Sequence, residues 1–446
     1  MDLGCLAAGP GRCESQAMTS TERSGASVAE TRLWHPFSDM SAVRGSEFVL
    51  TRGDGVWVFD DRDRRYLDGT ASLWYANVGH ARREIADAIA DQLGKLEAYS
   101  AFGDFTTEPA QALAARIAEL APVDDGRVFF TTGGGEALDS AAKIARRYWN
   151  AKGQPERVHL IGRTGGYHGT NGYGTAIGGI EANRAGWGPL MSQTSSVQWD
   201  SLAALEQEVL RVGPEKVAAV FAEPVIGAGG VLPPPEGYLE GVQAICQEHG
   251  ILFVADEVIC AFGRVGEWFA SERFGLRPDM ITFAKGVTSG YLPLGGVVAS
   301  GRVAEPFWDE AGNMLRHGAT YSAHATCCVA GSANLDLLAA DGLVHRARET
   351  EAPLLEALRQ HEGHPLVKEA RGGVGLLGAI EFTPEANAAG APGKVFAAAR
   401  ERGVLVRALG QGIAVSPPLT IAQDEIDLIG EAVGGALDAV AAASVA

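Results

Sequence analysis

From about residue 128 the chain alternates short apolar runs with longer stretches whose apolar residues recur at helical spacing. The runs are apolar on both faces, which is typical of strands buried between helical layers in a mostly parallel sheet. The stretch GYLEGVQAICQEHG (237–250) has helical spacing and ends on Gly250 just before the next run. The predicted strands are VFFT (128–131), VHLI (158–161), VAAVFA (217–222), ILFVA (251–255), MITFA (280–284) and GGVVAS (295–300).

The pattern changes after about residue 330, where Ala- and Leu-rich helical stretches lead to GLLGAIEF (375–382) and GVLVRALGQGIAVSPPL (403–419). We therefore predict an α/β fold with a large domain over 76–330, built on a mostly parallel sheet, and a smaller α+β domain over 331–446. The segment 31–75 is expected to join the small domain. Residues 1–30 are polar and are predicted to be a disordered extension, in which Met18 is an alternative start.

Composition excludes some classes of function. Among the 446 residues, 37 Lys and Arg stand against 55 Asp and Glu, for a formal net charge of −18. Nucleic acids and anionic membranes attract basic surfaces, so neither is an expected partner. The six cysteines show no metal-ligand spacing, and free thiols in a long chain predict a reducing, cytoplasmic setting. No apolar run reaches the roughly 18 residues of a membrane-spanning helix.

Polar and glycine residues follow several predicted strands, where open parallel sheets have their binding crevice. The stretch FFTTGGGEALDSAAKIARRYWN (129–150) is a strand, a glycine turn and a helix. A helix N-terminus behind glycines exposes backbone N–H groups that suit a phosphate, although an ordinary tight turn explains this motif alone equally well. The residues at the strand ends are Thr131, Gly133, Gly134, Gly135, Gly165, Gly166, Tyr167, His168, Glu223, Asp256 and Lys285.

Other motifs leave this picture unchanged. The glycine turn is not a dinucleotide fingerprint, because Leu138 occupies the third glycine position, and it has no Walker lysine. A true G-x-G-x-x-G at Gly373, Gly375 and Gly378 leads into the strand-like LLGAIEF rather than into a helix, and we reject it. HEGH (361–364) has metal-like spacing without further ligands, so no metal is expected.

Lys285 and Asp256 indicate the chemistry. Lys285 ends an apolar run before Gly286 and could simply reach solvent, while Asp256 could cap a helix or pair with Arg264. A phosphate site, a carboxylate and an amine on neighbouring strand ends nevertheless fit one ligand, pyridoxal 5′-phosphate (PLP). In such a site the lysine forms a Schiff base with the aldehyde, the aspartate keeps the pyridine nitrogen protonated, and the helix N-terminus takes the phosphate.

These residues resemble those of the class III aminotransferases (ω-transaminases), PLP-dependent enzymes of fold type I. The resemblance runs from LWHPFSDM (33–40) to VSPPLTI (415–421). Its most specific part is EPVIGAGGVLPPPEGYLEGVQAICQEHGILFVADEVICAFGR (223–264) followed by PDMITFAKGVTSGYLPLGG (278–296). Within the family, the chain is most similar to pyruvate-using enzymes that act on β-alanine and simple amines.

The resemblance implies a role for each candidate residue. Lys285 would hold the cofactor and carry the proton of the 1,3-shift, and Asp256 would bind the ring nitrogen. Trp74 would line the substrate pocket, and Arg407 would swing in to bind a substrate carboxylate. The other implied contacts are the Gly134 and Gly135 N–H groups on the phosphate, Tyr167 and Val258 on the two ring faces, Glu223 near the cofactor, and Thr320 on the phosphate of the neighbouring subunit. Thr320 thus implies a homodimer, which could pair into a tetramer.

Two stretches depart from the family pattern. The usual Ser-Gly-Ser before the phosphate helix is here three glycines, 133–135. A serine hydroxyl contact to the phosphate is therefore missing, and backbone N–H groups are expected to provide more of the phosphate contacts. The common Gly-His-Pro after TYS is Ala323-His324-Ala325, which leaves the path of that loop open. His168 is expected to pack or to form hydrogen bonds rather than to act in catalysis.

The expected reaction is a ping-pong transfer of an amino group from an amine or ω-amino acid to a keto acid, with pyruvate expected, via pyridoxamine phosphate. An aminomutase or a decarboxylase on the same fold is the alternative, because a fold does not decide the reaction. Arg407 favours transamination, since it suits a partner with a carboxylate. A remote alternative is a phosphate-ligand-binding protein without turnover.

Overall fold

The computed structural model describes residues 31–445, so the predicted extension and Met18 lie outside the described residues. The described chain divides into two units, residues 31–50 and residues 51–445. In the first unit, the Asp39 carboxylate caps a short helix by accepting a hydrogen bond from the Ser41 backbone N–H at 2.9 Å. The candidate site lies in the second unit.

The described residues form short and long helices around three sheets. The strands are β1 Leu50–Asp54, β2 Trp57–Asp60, β3 Arg65–Asp68, β4 Arg127–Thr131, β5 His159–Arg163, β6 Thr194–Val197, β7 Val217–Ala222, β8 Leu252–Asp256, β9 Met280–Phe283, β10 Gly295–Ala299, β11 Val367–Arg371, β12 Gly378–Phe382, β13 Val404–Leu405, β14 Arg407–Ala408 and β15 Gly412–Val415. The helices are α1 Met40–Val43, α2 Ala71–Trp74, α3 Arg83–Leu93, α4 Glu108–Leu120, α5 Gly134–Ala151, α6 Gly172–Ile177, α7 Glu181–Arg184, α8 Leu202–Val212, α9 Tyr238–Glu248, α10 Ala270–Arg273, α11 Gly301–Trp308, α12 Ala325–Ala340, α13 Leu343–Glu349, α14 Glu351–Arg359, α15 Pro384–Ala388, α16 Ala391–Glu401 and α17 Gln423–Val445, with 3₁₀ turns at Pro214–Lys216 and Lys285–Val287.

The largest sheet has seven strands in the order β4-β10-β9-β8-β7-β5-β6. The strands from β9 through β8, β7 and β5 to β6 pair in parallel, whereas β10 is antiparallel to both of its neighbours. The prediction of a mostly parallel sheet is confirmed, and each of the six predicted strands is found within two residues of its predicted bounds. Strands β7 and β8 are buried over their whole length, in agreement with runs that are apolar on both faces.

Helix α5 packs across this sheet and begins at the glycine turn. Its buried apolar residues, among them Leu138 and Ile144, join one cluster with Phe221 of β7, Val254 of β8 and Met280 of β9. The helix therefore holds its N-terminus at the edge of the sheet where the parallel strands end. The predicted helix before ILFVA is also confirmed as α9, and Gly250 after it has the left-handed φ of 61°.

The two smaller sheets involve the C-terminal part of the chain. One has the order β11-β12-β15-β14 and is antiparallel throughout, and the rejected glycine motif does lead into its strand β12. The other has the order β1-β2-β3-β13, in which Val404 of β13 pairs in parallel with Leu67 of β3. The domain boundaries at residues 75 and 330 stay predictions.

Between residues 31 and 445 no single helix is both long and apolar enough to cross a membrane, although the bent pair Ala325–Ala340 and Leu343–Arg359 (53°) meets the length and composition criteria jointly.

Candidate active site

The ends of β8 and β9 bring a carboxylate and an amine to one edge of the sheet. Asp256 is the last residue of β8 and stands opposite Thr282 of β9 in the parallel register. Lys285 follows two residues after the end of β9 and begins a 3₁₀ turn. Because the two strands are neighbours and run in the same direction, the Asp256 carboxylate and the Lys285 amine lie at the same edge of the sheet, where the strands end.

Lys285 lies in a setting that favours the neutral amine. Burial lowers its pKa to about 8, although the negative charges of Asp256 and Glu223 act in the opposite direction. Its backbone has a φ of 48°, a left-handed value that side chains other than glycine seldom adopt. Nζ lies 5.9 Å from the centroid of the Trp74 ring. An amine with such a pKa can act as a nucleophile or a base near neutral pH.

The Asp256 carboxylate is held from three sides. Oδ1 accepts hydrogen bonds from the Val258 backbone N–H and from the Thr282 hydroxyl, both at 3.1 Å. Oδ2 lies 2.7 Å from Nδ1 of His168, which is buried and meets the Phe221 ring edge-on with centroids 6.2 Å apart. His168 therefore packs and hydrogen-bonds, as expected, and these contacts fix the orientation of the carboxylate.

Sequence reasoning did not single out Thr282 as a partner of Asp256. The residue is the one polar side chain inside the apolar run MITFA, and its hydroxyl is fully buried. A buried hydroxyl needs a hydrogen-bond partner, so its position in the run was a usable signal. Arg264, by contrast, does not pair with Asp256; its guanidinium donates to Asn77 Oδ1 (2.7 Å) and to the Pro417 carbonyl (2.6 Å).

Glu223 supports the site by holding its backbone. Oε1 accepts from the Tyr167 N–H at 2.9 Å and Oε2 accepts from the Gly227 N–H at 3.0 Å. Burial raises the pKa of Glu223, and burial likewise raises the pKa of Tyr167. Glu223 thus positions Tyr167 through its backbone, and its expected support of the cofactor stays a prediction.

The glycine turn offers backbone donors in a narrow space. A Cβ atom on Gly134 would lie 2.7 Å from Cγ1 of Val258, so a side chain there would collide with Val258. The N–H groups in the first turn of a helix have no partner inside the helix, and at α5 this turn begins with Gly134 and Gly135. The Glu136 carboxylate folds back and accepts from the backbone N–H (2.9 Å) and hydroxyl (2.7 Å) of Thr132. The turn therefore fits a phosphate next to Val258, the residue predicted on one ring face.

The residues predicted for the substrate pocket, Trp74 and Arg407, lie against each other near Lys285. Trp74 is buried and has a φ of 61°, and the turn before it is held by Asp68, which accepts a hydrogen bond from the Ser72 N–H at 2.7 Å. The guanidinium carbon of Arg407 lies 4.7 Å from the Trp74 ring centroid. Within the described residues, Trp74 Nε1 and Arg407 Nε are buried without a hydrogen-bond partner. Both are donors that a ligand can use.

Thr320 is not brought to this site within the chain. It is exposed, and in the part of the chain that the structure describes no hydrogen bond joins it to the glycine turn. The nearby His317 is anchored on α5, where its Nε2 lies 2.7 Å from the Ser140 hydroxyl. The loop with Ala323-His324-Ala325 turns at Ala323, whose φ is 57°, and α12 begins at Ala325. The contact of Thr320 with a neighbouring subunit stays a prediction.

The HEGH motif has an ordinary structural explanation. His361 Nε2 lies 2.9 Å from the Gly430 carbonyl oxygen. Among residues 31–445 no group of three His, Cys, Asp or Glu side chains is placed to hold a metal ion.

Comparison with known proteins identifies the family. The model of the family Aminotransferase class-III matches residues 40–437. The chain belongs to the class III aminotransferases. Enzymes of this family are PLP-dependent transaminases of fold type I, and the order of strands and helices described above is consistent with that fold.

Characterised relatives and solved structures are similar over almost the whole chain. The chain is 36% identical to the putrescine–pyruvate aminotransferase of Pseudomonas aeruginosa, over 94% of this chain and 98% of the relative. It is 37% identical to the β-alanine–pyruvate aminotransferase of the same organism, over 92% and 96%. An amine transaminase from an uncultivated Pseudomonas species, solved with PLP bound, superposes with a TM-score of 0.89 at 36% identity, covering 92% of this chain and 99% of that one. An (S)-enantioselective ω-transaminase from Thermomicrobium roseum gives 0.88 at 39% identity, covering 93% and 97%.

Proposed function

We propose that this class III aminotransferase is a PLP-dependent ω-transaminase that moves an amino group from an amine or ω-amino acid to a keto acid, with pyruvate as the acceptor. The arrangement of Lys285 beside Asp256 carries the proposal, because an amine with a pKa of about 8 stands next to a buried carboxylate at the sheet edge. The names of the two Pseudomonas aeruginosa relatives, which pair pyruvate with putrescine and with β-alanine, support the choice of substrates.

The described residues fit PLP. When bound, PLP supplies an aldehyde carbon that takes up an amine and a pyridine ring that accepts electrons. Lys285 would hold it through Nζ, Asp256 would face the ring nitrogen, and the N–H groups of Gly134 and Gly135 would face the phosphate. The Nζ atom of Lys285 would also take a proton from the substrate carbon and return it, for which a pKa near neutrality is suited.

Arg407 and Trp74 would adapt the pocket to two kinds of substrate. A keto acid has a carboxylate that the Arg407 guanidinium can bind through two hydrogen bonds. An amine without a carboxylate leaves Arg407 on the face of the Trp74 ring, where the guanidinium carbon lies in this structure. The Arg407 guanidinium would thus have a contact with either substrate: the carboxylate of the keto acid, or the Trp74 ring when an amine is bound.

We further propose that the enzyme is a cytoplasmic homodimer in which Thr320 reaches the phosphate site of the partner subunit. Large apolar side chains are exposed between residues 93 and 105, including Tyr99, Phe102 and Phe105, and Tyr321 beside Thr320 is exposed as well. Exposed apolar patches of this kind are typical of protein interfaces, and they support association of two copies.

The function is tested by incubating the purified protein and PLP with a series of amines and pyruvate while alanine is measured. We expect alanine to form with simple amines and ω-amino acids, and borohydride to fix the cofactor on Lys285. A decarboxylase would release carbon dioxide without alanine, and an aminomutase would isomerise its substrate without consuming pyruvate. A binding protein without turnover would do neither, and any of these results would overturn the proposal.

A further inference from the structure

The glycine turn has no side-chain donor for a phosphate, and a side chain from another loop lies where such a donor would be. We propose that the Asn171 carboxamide donates a hydrogen bond to the cofactor phosphate, at the place of the side chain that Gly135 lacks. The inference rests on the proposed function, since it requires PLP to bind at this turn.

The carboxamide is the nearest neighbour of the missing side chain. A Cβ atom built on Gly135 would lie 3.6 Å from Nδ2, 3.7 Å from Cγ and 3.8 Å from Oδ1 of Asn171. These are ordinary contact distances, so the amide group rests beside the first turn of α5. The backbone N–H groups of Gly134 and Gly135 belong to this same turn, and a first helical turn leaves such groups without a partner inside the helix. Backbone and carboxamide donors therefore adjoin one another.

The Asn171 side chain is available for a ligand because Asp139 accepts the helix-capping hydrogen bond that an asparagine at this position usually accepts. Asn171 stands at the N-cap position of α6, where an asparagine commonly accepts an N–H of the first helical turn. At α6 the N–H of Gly174 in the first turn instead donates its hydrogen bond to Oδ1 of Asp139 in α5, at 2.8 Å. Within residues 31–445 the Asn171 carboxamide forms no hydrogen bond.

The loop that carries Asn171 is fixed against the turn. Gly169 has a φ of 89°, and a Cβ atom there would lie 2.7 Å from Cα of Gly135, so the two backbones touch. The loop is tied on one side through the Tyr167 N–H to Glu223 and on the other through the Gly174 N–H to Asp139. Because the loop is held at both ends, its backbone loses little freedom when the exposed Asn171 side chain binds a ligand.

The experiment measures cofactor binding by the apoenzyme rather than turnover. Asn171→Ala removes the donor, and Asn171→Asp keeps the size of the side chain while it adds a negative charge near the phosphate. We expect the dissociation constant of PLP, read from visible absorbance, to rise about 10- to 100-fold in the Ala variant, as is usual for losing a hydrogen bond to a charged group, and further in the Asp variant. Thr170→Ala, a change at the exposed neighbouring residue, is the matched control and should leave the constant unchanged.

Pyridoxal separates a phosphate contact from a general effect on the loop. It lacks the phosphate, so its affinity should be the same for the parent enzyme and for both Asn171 variants. Gly135→Ser in the Asn171→Ala background returns a hydroxyl to the turn and should recover part of the affinity for PLP.

Two results would overturn the inference: an unchanged dissociation constant for PLP in the Asn171 variants, or equal losses for PLP and pyridoxal. The Asp variant decides the matter if the Ala variant fails to fold. Failure of the proposed function would look different. A parent enzyme that is a decarboxylase or an aminomutase would still bind PLP but would form no alanine from an amine and pyruvate, and a parent protein that is no PLP enzyme would not bind PLP at all.

Discussion

Arg407 allows a direct test of how one pocket serves substrates with and without a carboxylate. Its guanidinium lies over the Trp74 ring, its Nε is buried without a partner in the described chain, and burial lowers its pKa. A buried donor without a partner is costly, and a substrate carboxylate removes that cost. We therefore expect Arg407→Ala to slow the half-reaction with pyruvate and to change the half-reaction with a carboxylate-free amine very little.

The size of the effect follows from the contact that is lost. A charge-assisted hydrogen-bonded pair contributes about 1.5–3 kcal/mol, which corresponds to a loss of about 10- to 150-fold. The contact with the Trp74 ring exists in the free enzyme, so it does not add to this difference. Arg407→Lys keeps the charge without the planar guanidinium, and its loss should fall between those of the parent and the Ala variant.

Single-turnover measurements separate the two half-reactions. The visible absorbance of the cofactor is followed after mixing with amine alone, or with pyruvate once the amine has reacted. Arg359→Ala is the control, because it removes an exposed arginine on α14 and the same unit of charge. Equal losses in both half-reactions would refute the reasoning, since they would mean that Arg407 supports the pocket rather than binds the acid.

The remaining predictions concern Lys285, Asp256 and Glu257. Lys285→Ala should abolish turnover while the phosphate site still retains cofactor, and borohydride followed by peptide mapping should find the cofactor on Lys285 in the parent enzyme alone. Capture of PLP by the parent apoenzyme needs the neutral amine, so its rate should rise with pH through about 8 and level off above it; a midpoint near 10 would contradict this. Asp256→Asn should reduce turnover by several orders of magnitude, and because the Asp256 charge raises the pKa of Lys285, the midpoint for capture should move below that of the parent. Glu257→Ala should lower the free energy of unfolding by about 3 kcal/mol or more, because it leaves the Ala270 N–H and the N–H and hydroxyl of Ser271 without their acceptor; an unchanged denaturation midpoint in urea would contradict it.

The large sheet could be predicted because its strands are buried on both faces. In β7 all six residues are buried, and such a run stands out against the helical spacing around it. Strand β6 escaped prediction because TSSV (194–197) is polar and pairs on one side only, with β5. An edge strand of this kind has no apolar signature, and its pairing is decided by the sheet that is already formed.

The part of the candidate site that lies at the ends of strands could be predicted from the sequence. Lys285, Asp256 and Glu223 follow directly from that position, but the contacts around them depend on backbone geometry. The left-handed φ of Trp74 and the contact between Asn171 and Gly135 join segments whose approach no local pattern reveals. The predicted role of Thr320 depends on a second copy of the chain, so it could be predicted only from the resemblance to the family and not from the residues of this sequence.

Unfavourable conformations and unpaired donors coincide at the candidate pocket. Lys285 and Trp74 both have left-handed φ values, and Trp74 Nε1 and Arg407 Nε are buried without partners in the described chain. Such conformations and unpaired groups cost about 1–3 kcal/mol each, and they persist only where the surroundings enforce them. At Trp74 the surroundings do so through Asp68, which holds the turn before it by accepting a hydrogen bond from the Ser72 N–H. The Trp74 ring centroid lies 5.9 Å from Lys285 Nζ and 4.7 Å from the Arg407 guanidinium carbon, so these donors belong to side chains that are close to the Lys285 amine. We therefore expect part of the stability given up there to be recovered when an acceptor such as a carboxylate binds. This is why the pocket, rather than the well-bonded residues around it, should decide which substrates the enzyme takes.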